Sequence, residues 1–395
     1  MTVDTIIALL TFVAFFVSWA SFYPALRFAQ KHDIVDLPNY RKLQRVPVPV
    51  LGGIPVALGV FVPLCIAAFF FQLDALWYAL IVMLALSVIG VLDDVFDIDA
   101  WMRFSIEMFL VWFLLWQTDM MIMDLHGLFD VHEVSPYVGL PLSLFAGVGI
   151  INAINMIDGV DGYSSGYGIM ANIFFAVVFF YIGDEVLGLF SLIAAASLLP
   201  FFVHNVFGSK SKMYIGDGGA LLIGMVMVWD VFALLAPSAS TAVLEQNGIC
   251  LVAMVLAVLC IPIFDTLRVM VTRICMGRLP FSPDRIHLHH IFIRLGFSHV
   301  GTSICIILLN VLIVLIWYLC SGFSYTVQFI VVCTLGFLFT CGIYYLMEYA
   351  HKRHTGAIYH AIRKVARWTH LEQLALWKSL ERIVDYRCKE AAPQP

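Results

Sequence analysis

Charge is scarce in this chain, and basic residues are missing from every second loop. Lys, Arg, Asp and Glu supply only 12% of the 395 residues, while 62% are hydrophobic and the mean hydropathy is +0.94. A soluble domain carries roughly twice that share of charge, so an ordinary water-soluble globule is excluded and a membrane protein is expected. Paired cysteines are also missing. Nine cysteines lie scattered, mostly in apolar runs, with no CxxC pair, which excludes a zinc pattern or a disulfide framework and leaves small buried hydrophobes. The apolar stretch 5–26 lacks a preceding basic segment and a small-residue cleavage site, so it reads as a retained first span rather than a signal peptide. No internal repeat and no low-complexity segment stands out, and no nucleic-acid partner is expected.

What the chain does have is long apolar runs. A helix needs about 20 apolar residues to cross the hydrocarbon core, and eleven candidate spans follow: 5–27, 51–71, 75–92, 103–117, 138–153, 165–182, 186–204, 218–236, 248–268, 302–320 and 324–347. The fourth and fifth are short. Lys and Arg gather on the cytoplasmic side of membrane proteins. All 22 fall on one set of alternate loops and in the tail, from Arg27 to Lys389, while the opposite loops hold acids such as Asp74, Asp124, Glu133 and Glu245. The expected arrangement is an all-α integral membrane protein with its N-terminus outside and C-terminus in the cytoplasm. Residues 1–350 form a polytopic catalytic domain and 351–395 a basic amphipathic tail. In that tail Ile358, Ile362, Val365, Trp368, Leu371 and Leu374 recur at helical spacing among Lys and Arg, a pattern suited either to the anionic inner leaflet or to a solvated or partner-bound helix.

The cytoplasmic ends of the spans collect five polar clusters. They are Asp36-Leu-Pro-Asn-Tyr-Arg-Lys42 with Pro47–Gly53; Asp93-Asp94-Val-Phe-Asp97 with Arg103; Asn152-Ala-Ile-Asn155-Met-Ile-Asp158-Gly-Val-Asp161-Gly162; His204-Asn205 with Lys210, Lys212 and Gly216-Asp217-Gly218-Gly219; and Pro283-Asp284-Arg285-Ile-His287-Leu-His289-His290. Adjacent carboxylates repel unless a cation or proton lies between them. Magnesium suits such a site, because it takes oxygen ligands and shares its shell with substrate phosphates. Asp217 stands where a span begins, placed to cap that helix and still face a metal. Arg and His together suit a phosphate-rich anion. A lone Asp-Asp or Asp-Gly is usually a solvated turn, and a lone His-x-His-His could hold a transition metal. Five clusters on one face of a polytopic protein point instead to a shared site. Within the spans, Glu107 carries no assigned role and Asp230, about 20 Å deeper than Asp217 along a helix, reads as structural. His126 and His132, in an outer acidic loop, read as solvated.

These motifs resemble the polyprenyl-phosphate N-acetylhexosamine-1-phosphate transferases of glycosyltransferase family 4. The resemblance runs from about residue 30 to residue 300. It is nearest to the bacterial branch that transfers N-acetylglucosamine-1-phosphate from UDP-N-acetylglucosamine to undecaprenyl phosphate, the opening membrane step of O-antigen and enterobacterial common antigen synthesis. The resemblance implies that Asp217 is the central Mg2+ ligand, with Asn155 a second ligand or diphosphate contact and Mn2+ a substitute metal. It implies that Asp93 and Asp94 take the lipid phosphate proton or hold phosphates, that Asp158 and Asp161 complete an acidic cleft, and that Asn205 lies toward the nucleotide. Arg285, His287, His289 and His290 would contact sugar and diphosphate, and Lys42 and Arg103 would neutralise phosphate charge. The implied setting is the bacterial inner membrane with the site facing the cytoplasm, in contact with membrane lipid, with a homodimer left open. Two departures stand out: the family often has His and then Gly after the Lys42 position, where this chain has Gln44 and Arg45. Related enzymes that use a UDP-muramyl-pentapeptide carry His-His-His where this chain reads His287-Leu-His289-His290. A transporter would place ionisable groups near the midplane, often within inverted repeats, whereas here the acids cluster at one face.

Overall fold

A computed structural model describes residues 2–37, 46–280, 282 and 284–389. The chain is almost wholly helical: α1 (Val3–Lys31), α2 (Gly53–Phe71), α3 (Asp74–Phe96), α4 (Ala100–Thr118), α5 (Pro136–Met156), α6 (Tyr163–Tyr181), α7 (Glu185–Phe207), α8 (Gly216–Leu235) and the short α9 (Ala242–Gln246). They are followed by α10 (Leu251–Val258), α11 (Cys260–Cys275), α12 (Leu288–Arg294), α13 (His299–Leu319), α14 (Tyr325–Phe337), α15 (Ile343–Arg353), α16 (Ala357–Trp368), α17 (Ala375–Val384) and α18 (Tyr386–Lys389). Two small antiparallel pairs complete the list: β1 (Val35–Asp36) with β2 (Val48–Pro49), and β3 (Asp124–Leu128) with β4 (Val131–Glu133).

Each of the eleven expected spans falls on a helix or helix pair. Among the described residues nine are long and apolar enough to cross a membrane, the last being α14 and α15 read as one run joined through a π-turn. The pair α10–α11 supplies a tenth span bent by 76°. Helix α4 falls outside that count: its 19 residues include Arg103 and Glu107, which lower its hydropathy. The protein is an all-α, multi-pass integral membrane protein.

Helix α8 lies at the centre. Its membrane-crossing stretch is buried on every side, as an apolar-all-round sequence requires. Its first turn packs backbone to backbone on two neighbours: a Cβ on Gly90 of α3 would strike Gly218, and a Cβ on Gly53 of α2 would strike Gly219. Small residues allow that approach where apolar side chains have no water to escape. The strand before α2 is stitched to the same place, with the Tyr214 and Gly52 amides donating to Pro49 and Tyr214 carbonyls at 2.8 Å each. The first and fourth sequence clusters therefore meet.

The α10–α11 break is chemically closed. In hydrocarbon a freed backbone group needs a protein partner, and Asn310 provides two, accepting from the Ile261 amide at 2.9 Å and donating to the Val258 carbonyl at 2.9 Å. The Tyr167 hydroxyl donates to the same carbonyl.

On the opposite end of the bundle, His126 departs from the solvated role expected of it. It is 4% exposed and contacts Glu245 at 2.5 Å and the Leu235 carbonyl at 2.9 Å, tying the β3–β4 hairpin to the end of α8. His132 is exposed as expected. Asp230 is fully buried and accepts from Ser191 at 2.9 Å, in keeping with a structural role. Of the tail pattern expected over 358–374, only the part to Trp368 lies on α16; Leu371 falls on a single 3-10 turn and Leu374 precedes α17.

Candidate active site

The start of α8 is held by a neighbour's carboxylate. Gly216 adopts φ +71°, and its missing Cβ leaves room for Asp94. Asp94 then accepts from the Asp217 amide at 3.1 Å and from the Gly218 amide, filling the orphan donors of the helix N-terminus. This corrects the expectation that Asp217 caps its own helix: Asp94 is the cap, and the Asp217 side chain is released for other work.

Asp217 Oδ2 meets the Arg103 guanidinium at 3.0 Å, and its Oδ1 accepts from Asn155 Nδ2 at 2.8 Å. Arg103 also reaches Asp93 at 2.6 Å and Glu107 at 3.5 Å. Glu107, fully buried, accepts from Asn152 at 2.5 Å, and Asp93 accepts from the Ile98 amide at 2.8 Å. Helices α3, α4, α5 and α8 thus converge on a cluster in which Arg103 is shared among three carboxylates, with Asp94 beside them. Glu107 and Asn152, unassigned from sequence, orient that arginine.

The turn 157–162 closes one side. Asp158 accepts from Ser164 at 2.6 Å. It is open to solvent yet ringed by protein, the setting of a deep wet cleft. Enclosure, with the Asp217 and Asp161 charges nearby, outweighs the Ser164 hydrogen bond and pushes its pKa up to about 7. Asp161 takes Lys212 at 2.6 Å and lies 3.5 Å from His299. Asn205 is buried and joins the turn to the next loop, accepting from the Gly162 amide at 2.7 Å and donating to the Met213 carbonyl at 3.0 Å. It shapes the cleft wall.

The histidine loop rests on residues the sequence reading passed over. Asp265 of α11 is buried and accepts from Arg268 at 2.5 Å, His287 Nδ1 at 3.0 Å and the Leu288 amide at 3.1 Å. Arg268 also donates to the Ile286 carbonyl at 2.6 Å, and its guanidinium lies 3.9 Å above the Tyr344 ring. Arg273 grips Asp284 with two hydrogen bonds, 2.7 and 3.1 Å, which outweigh burial and hold that carboxyl below its usual range. An acid inside an apolar span with an arginine one turn on was the available signal.

The loop's histidines divide. His287 and His289 are buried with parallel rings 5.8 Å apart, and His289 fills the space that a side chain at Gly159 would need. His290 is half-buried and Arg285 exposed. Burial, with neighbouring positive groups, pulls His289 well below its usual pKa and His290 to about 4, so both are neutral at pH 7. Cationic help for an anion falls to Arg285 on this loop. Lys42, with Gln44 and Arg45, lies outside the described residues.

Among the described residues, no group of three His, Cys, Asp or Glu side chains closes on one point to hold a metal by itself. The donor set nevertheless fits magnesium, which takes one or two carboxylates and completes its shell with water and substrate phosphate. Asp217, its side chain 34% exposed, presents hard oxygen where, among the described residues, one arginine serves three carboxylates. Buried polar atoms without a protein partner flank the cleft: Asp161 Oδ1, His287 Nε2 and His290 Nδ1. An apolar groove of about 320 Å³, lined by Ile54, Phe61, Val88 and Val91 among others, ends at Gly218, next to Asp217.

The family model described as "Glycosyl transferase family 4" matches residues 76–236, the stretch from α3 through α8. The undecaprenyl-phosphate alpha-N-acetylglucosaminyl 1-phosphate transferase of Escherichia coli (strain K12) is 30% identical over 303 residues, covering 75% of this chain and 78% of that protein. The chain belongs to glycosyl transferase family 4. The Yersinia pestis protein of the same name is 30% identical over 308 residues, covering 76% of this chain and 81% of that one. A decaprenyl-phosphate N-acetylglucosaminephosphotransferase of Mycobacterium leprae is 29% identical, covering 69% and 73%. The family-4 match takes in the shared-arginine cluster, the 157–162 turn and Asn205, and stops before Asp265 and the histidine loop.

Proposed function

We propose that this protein transfers N-acetylglucosamine-1-phosphate from UDP-N-acetylglucosamine to undecaprenyl phosphate, releasing UMP and leaving undecaprenyl-diphosphate-N-acetylglucosamine. The observation that carries this reading is the cluster in which Asp93, Asp217 and Glu107 share Arg103, with Asp94 on the Asp217 amide, beside an apolar groove that reaches Gly218. Relatives named for this reaction support it. The site would face the cytoplasm of a bacterial inner membrane, where UDP-sugars are present, and the product would open synthesis of a cell-surface polysaccharide.

In the transfer, an oxygen of the lipid phosphate bonds the phosphorus that carries the sugar, and the bond from that phosphorus to UMP breaks. Such chemistry rests on positioning and charge neutralisation. Asp217 would hold magnesium with Asn155 beside it, and the ion would neutralise charge on the diphosphate and the departing UMP. Arg103 sets the Asp93 and Asp217 carboxylates in place. Asp93 and Asp94 would take the lipid phosphate proton or hold the phosphates, and Asp158, its pKa pushed up to about 7, stands near Asp94 as a second acceptor. Arg285 supplies positive charge at the donor end, and His290 offers a neutral imidazole. The groove between α2 and α3 would take the first isoprene units.

Purified protein incubated with undecaprenyl phosphate, Mg2+ or Mn2+ and a panel of UDP-sugars tests this directly. Release of UMP with a lipid-linked N-acetylglucosamine product is expected. UMP release only with another UDP-sugar would reassign the donor, and no release with any of them would remove the reaction. Orientation has its own test. A cysteine at Glu133 should react with an impermeant thiol reagent outside intact cells and one at Lys212 should not, and the reverse pattern would turn the site outward.

A further inference from the structure

The C-terminal helices carry an apolar face that no other described residue covers. On α17, Leu376 and Ile383 stand two turns apart on one side, 71% and 70% exposed, with Tyr386 just beyond at 63%. Lys378, Arg382 and Arg387 flank them. In water such a stripe is unfavourable.

Where α17 sits decides what covers it. The Val384 carbonyl accepts from the Tyr23 hydroxyl at 2.8 Å, and the Arg387 guanidinium lies 4.8 Å over the Trp19 ring and 5.6 Å over Tyr23. Both aromatics belong to α1, which ends at Lys31. At 1.5 Å per residue they lie about 12 and 18 Å before that end. Trp and Tyr mark the headgroup level of a membrane helix. The helix is therefore moored beside the α1 aromatic belt, below the basic end of that span.

We propose that α17 is an interfacial helix whose Leu376–Ile383 stripe, continued by Tyr386, lies in the headgroup layer of an anionic leaflet, with Lys378 and Arg382 toward lipid phosphates. Apolar residues at headgroup depth, flanked by cations, are the recipe for such a helix. The mooring reaches the catalytic cleft. Asp385, directly after α17, accepts from the amides of Ser209, Lys210 and Ser211 at 3.1, 2.9 and 3.0 Å and from the Ser211 hydroxyl at 2.7 Å. The next residue is Lys212, whose ammonium holds Asp161.

The test uses full-length protein in nanodiscs of phosphatidylcholine alone or with one part in three phosphatidylglycerol. Nitroxides are placed on Ile383→Cys and, as a control, Lys378→Cys, with the exposed native Cys65 and Cys275 changed to Ser. At Ile383 collisions with oxygen should exceed those with a water-soluble nickel chelate, at Lys378 the order should reverse, and the contrast should grow with phosphatidylglycerol. Equal chelate access at both positions would overturn the proposal. So would spin–spin broadening at Ile383 without an oxygen preference, since a second copy would then cover the face. An unchanged contrast in anionic discs would overturn the anionic-lipid assignment. Amide hydrogen exchange over 375–384 of unsubstituted protein repeats the test without relying on the variants folding: exchange should slow in anionic discs, and equal rates would count against it.

Discussion

Two aspartates of this protein sit in opposite electrostatic circumstances. Asp265 is ringed by donors: an arginine, a histidine and a backbone amide all point at one buried carboxylate. Asp217 shares its arginine with Asp93 and Glu107, has Asp94 at its own amide, and keeps a third of its side chain exposed. The first carboxylate is saturated and fixes a loop. The second, among the described residues, shares one cation with two other carboxylates. The ratio of donors to carboxylates thus separates the two aspartates more sharply than residue type does.

Replacing each aspartate in turn tests the contrast most severely. Asp217→Asn should keep the fold and lose about 100-fold or more in turnover, because an amide is a poor ligand for a hard cation and a poor partner for charge. Its melting temperature in detergent should not fall, since one of several crowded carboxylates has been removed. Near wild-type UMP release at limiting magnesium would undo the distinction. Asp265→Ala should do the reverse in stability, costing about 3–5 kcal/mol by leaving Arg268 buried and unpaired. A thermal melt reads it, and a variant as stable as the parent would show that the ring of donors holds nothing.

Dependence on pH sharpens the comparison. The folded pKa of Asp158 is raised to about 7, so its charged form opposes folding above that pH, and stability is regained as pH falls from 7 towards the ordinary carboxylate value near 4. Asp158→Asn, melted in chelator, should therefore gain on the parent at pH 8 and match it near pH 4. Asp284 has the opposite sign. Its pKa is depressed, so its stabilisation is present at neutral pH and is lost as pH drops through its folded pKa. A flat difference between parent and Asp158→Asn across this range would show that the cleft does not strain that carboxylate. The smallest effect is expected on the loop itself. Arg285→Ala should raise the KM for UDP-sugar about tenfold, equivalent to about 1.4 kcal/mol, with little change in the use of lipid. A change confined to the lipid substrate would reverse the assignment of ends.

The spans were legible because twenty-residue apolar runs have few other uses, and the five clusters because the basic residues mark one side. Asp93, Asp94, Asn155, Asp158 and Asp217 could therefore be gathered from loops far apart in sequence, and the structure brings them together with Arg103. What stayed hidden was pairing. That Asp94 caps α8, 123 residues away, depends on Gly90 meeting Gly218, a contact no local pattern announces. Asp265 and Arg268 fall within the expected span 248–268 and Arg273 just past it, so none of them adjoins a loop motif. His126 looked like loop polarity because Glu245, its partner, is more than a hundred residues on. Asn205, which the resemblance places toward the nucleotide, also ties the Gly162 turn to the Met213 carbonyl, a pairing across loops that no local pattern announces.

The corner between α10 and α11 gives the histidine loop its foundation. Asn310 and Tyr167 weld that corner shut inside the bundle, so the 76° change of direction is an angle bracket and not a hinge. From that corner α11 carries Asp265 to the histidine loop, which is braced further by Tyr344 under Arg268 and by His289 against Gly159. A side chain set among apolar helices, such as Asn310, is therefore part of what holds Asp265, and through it the histidine loop, in place.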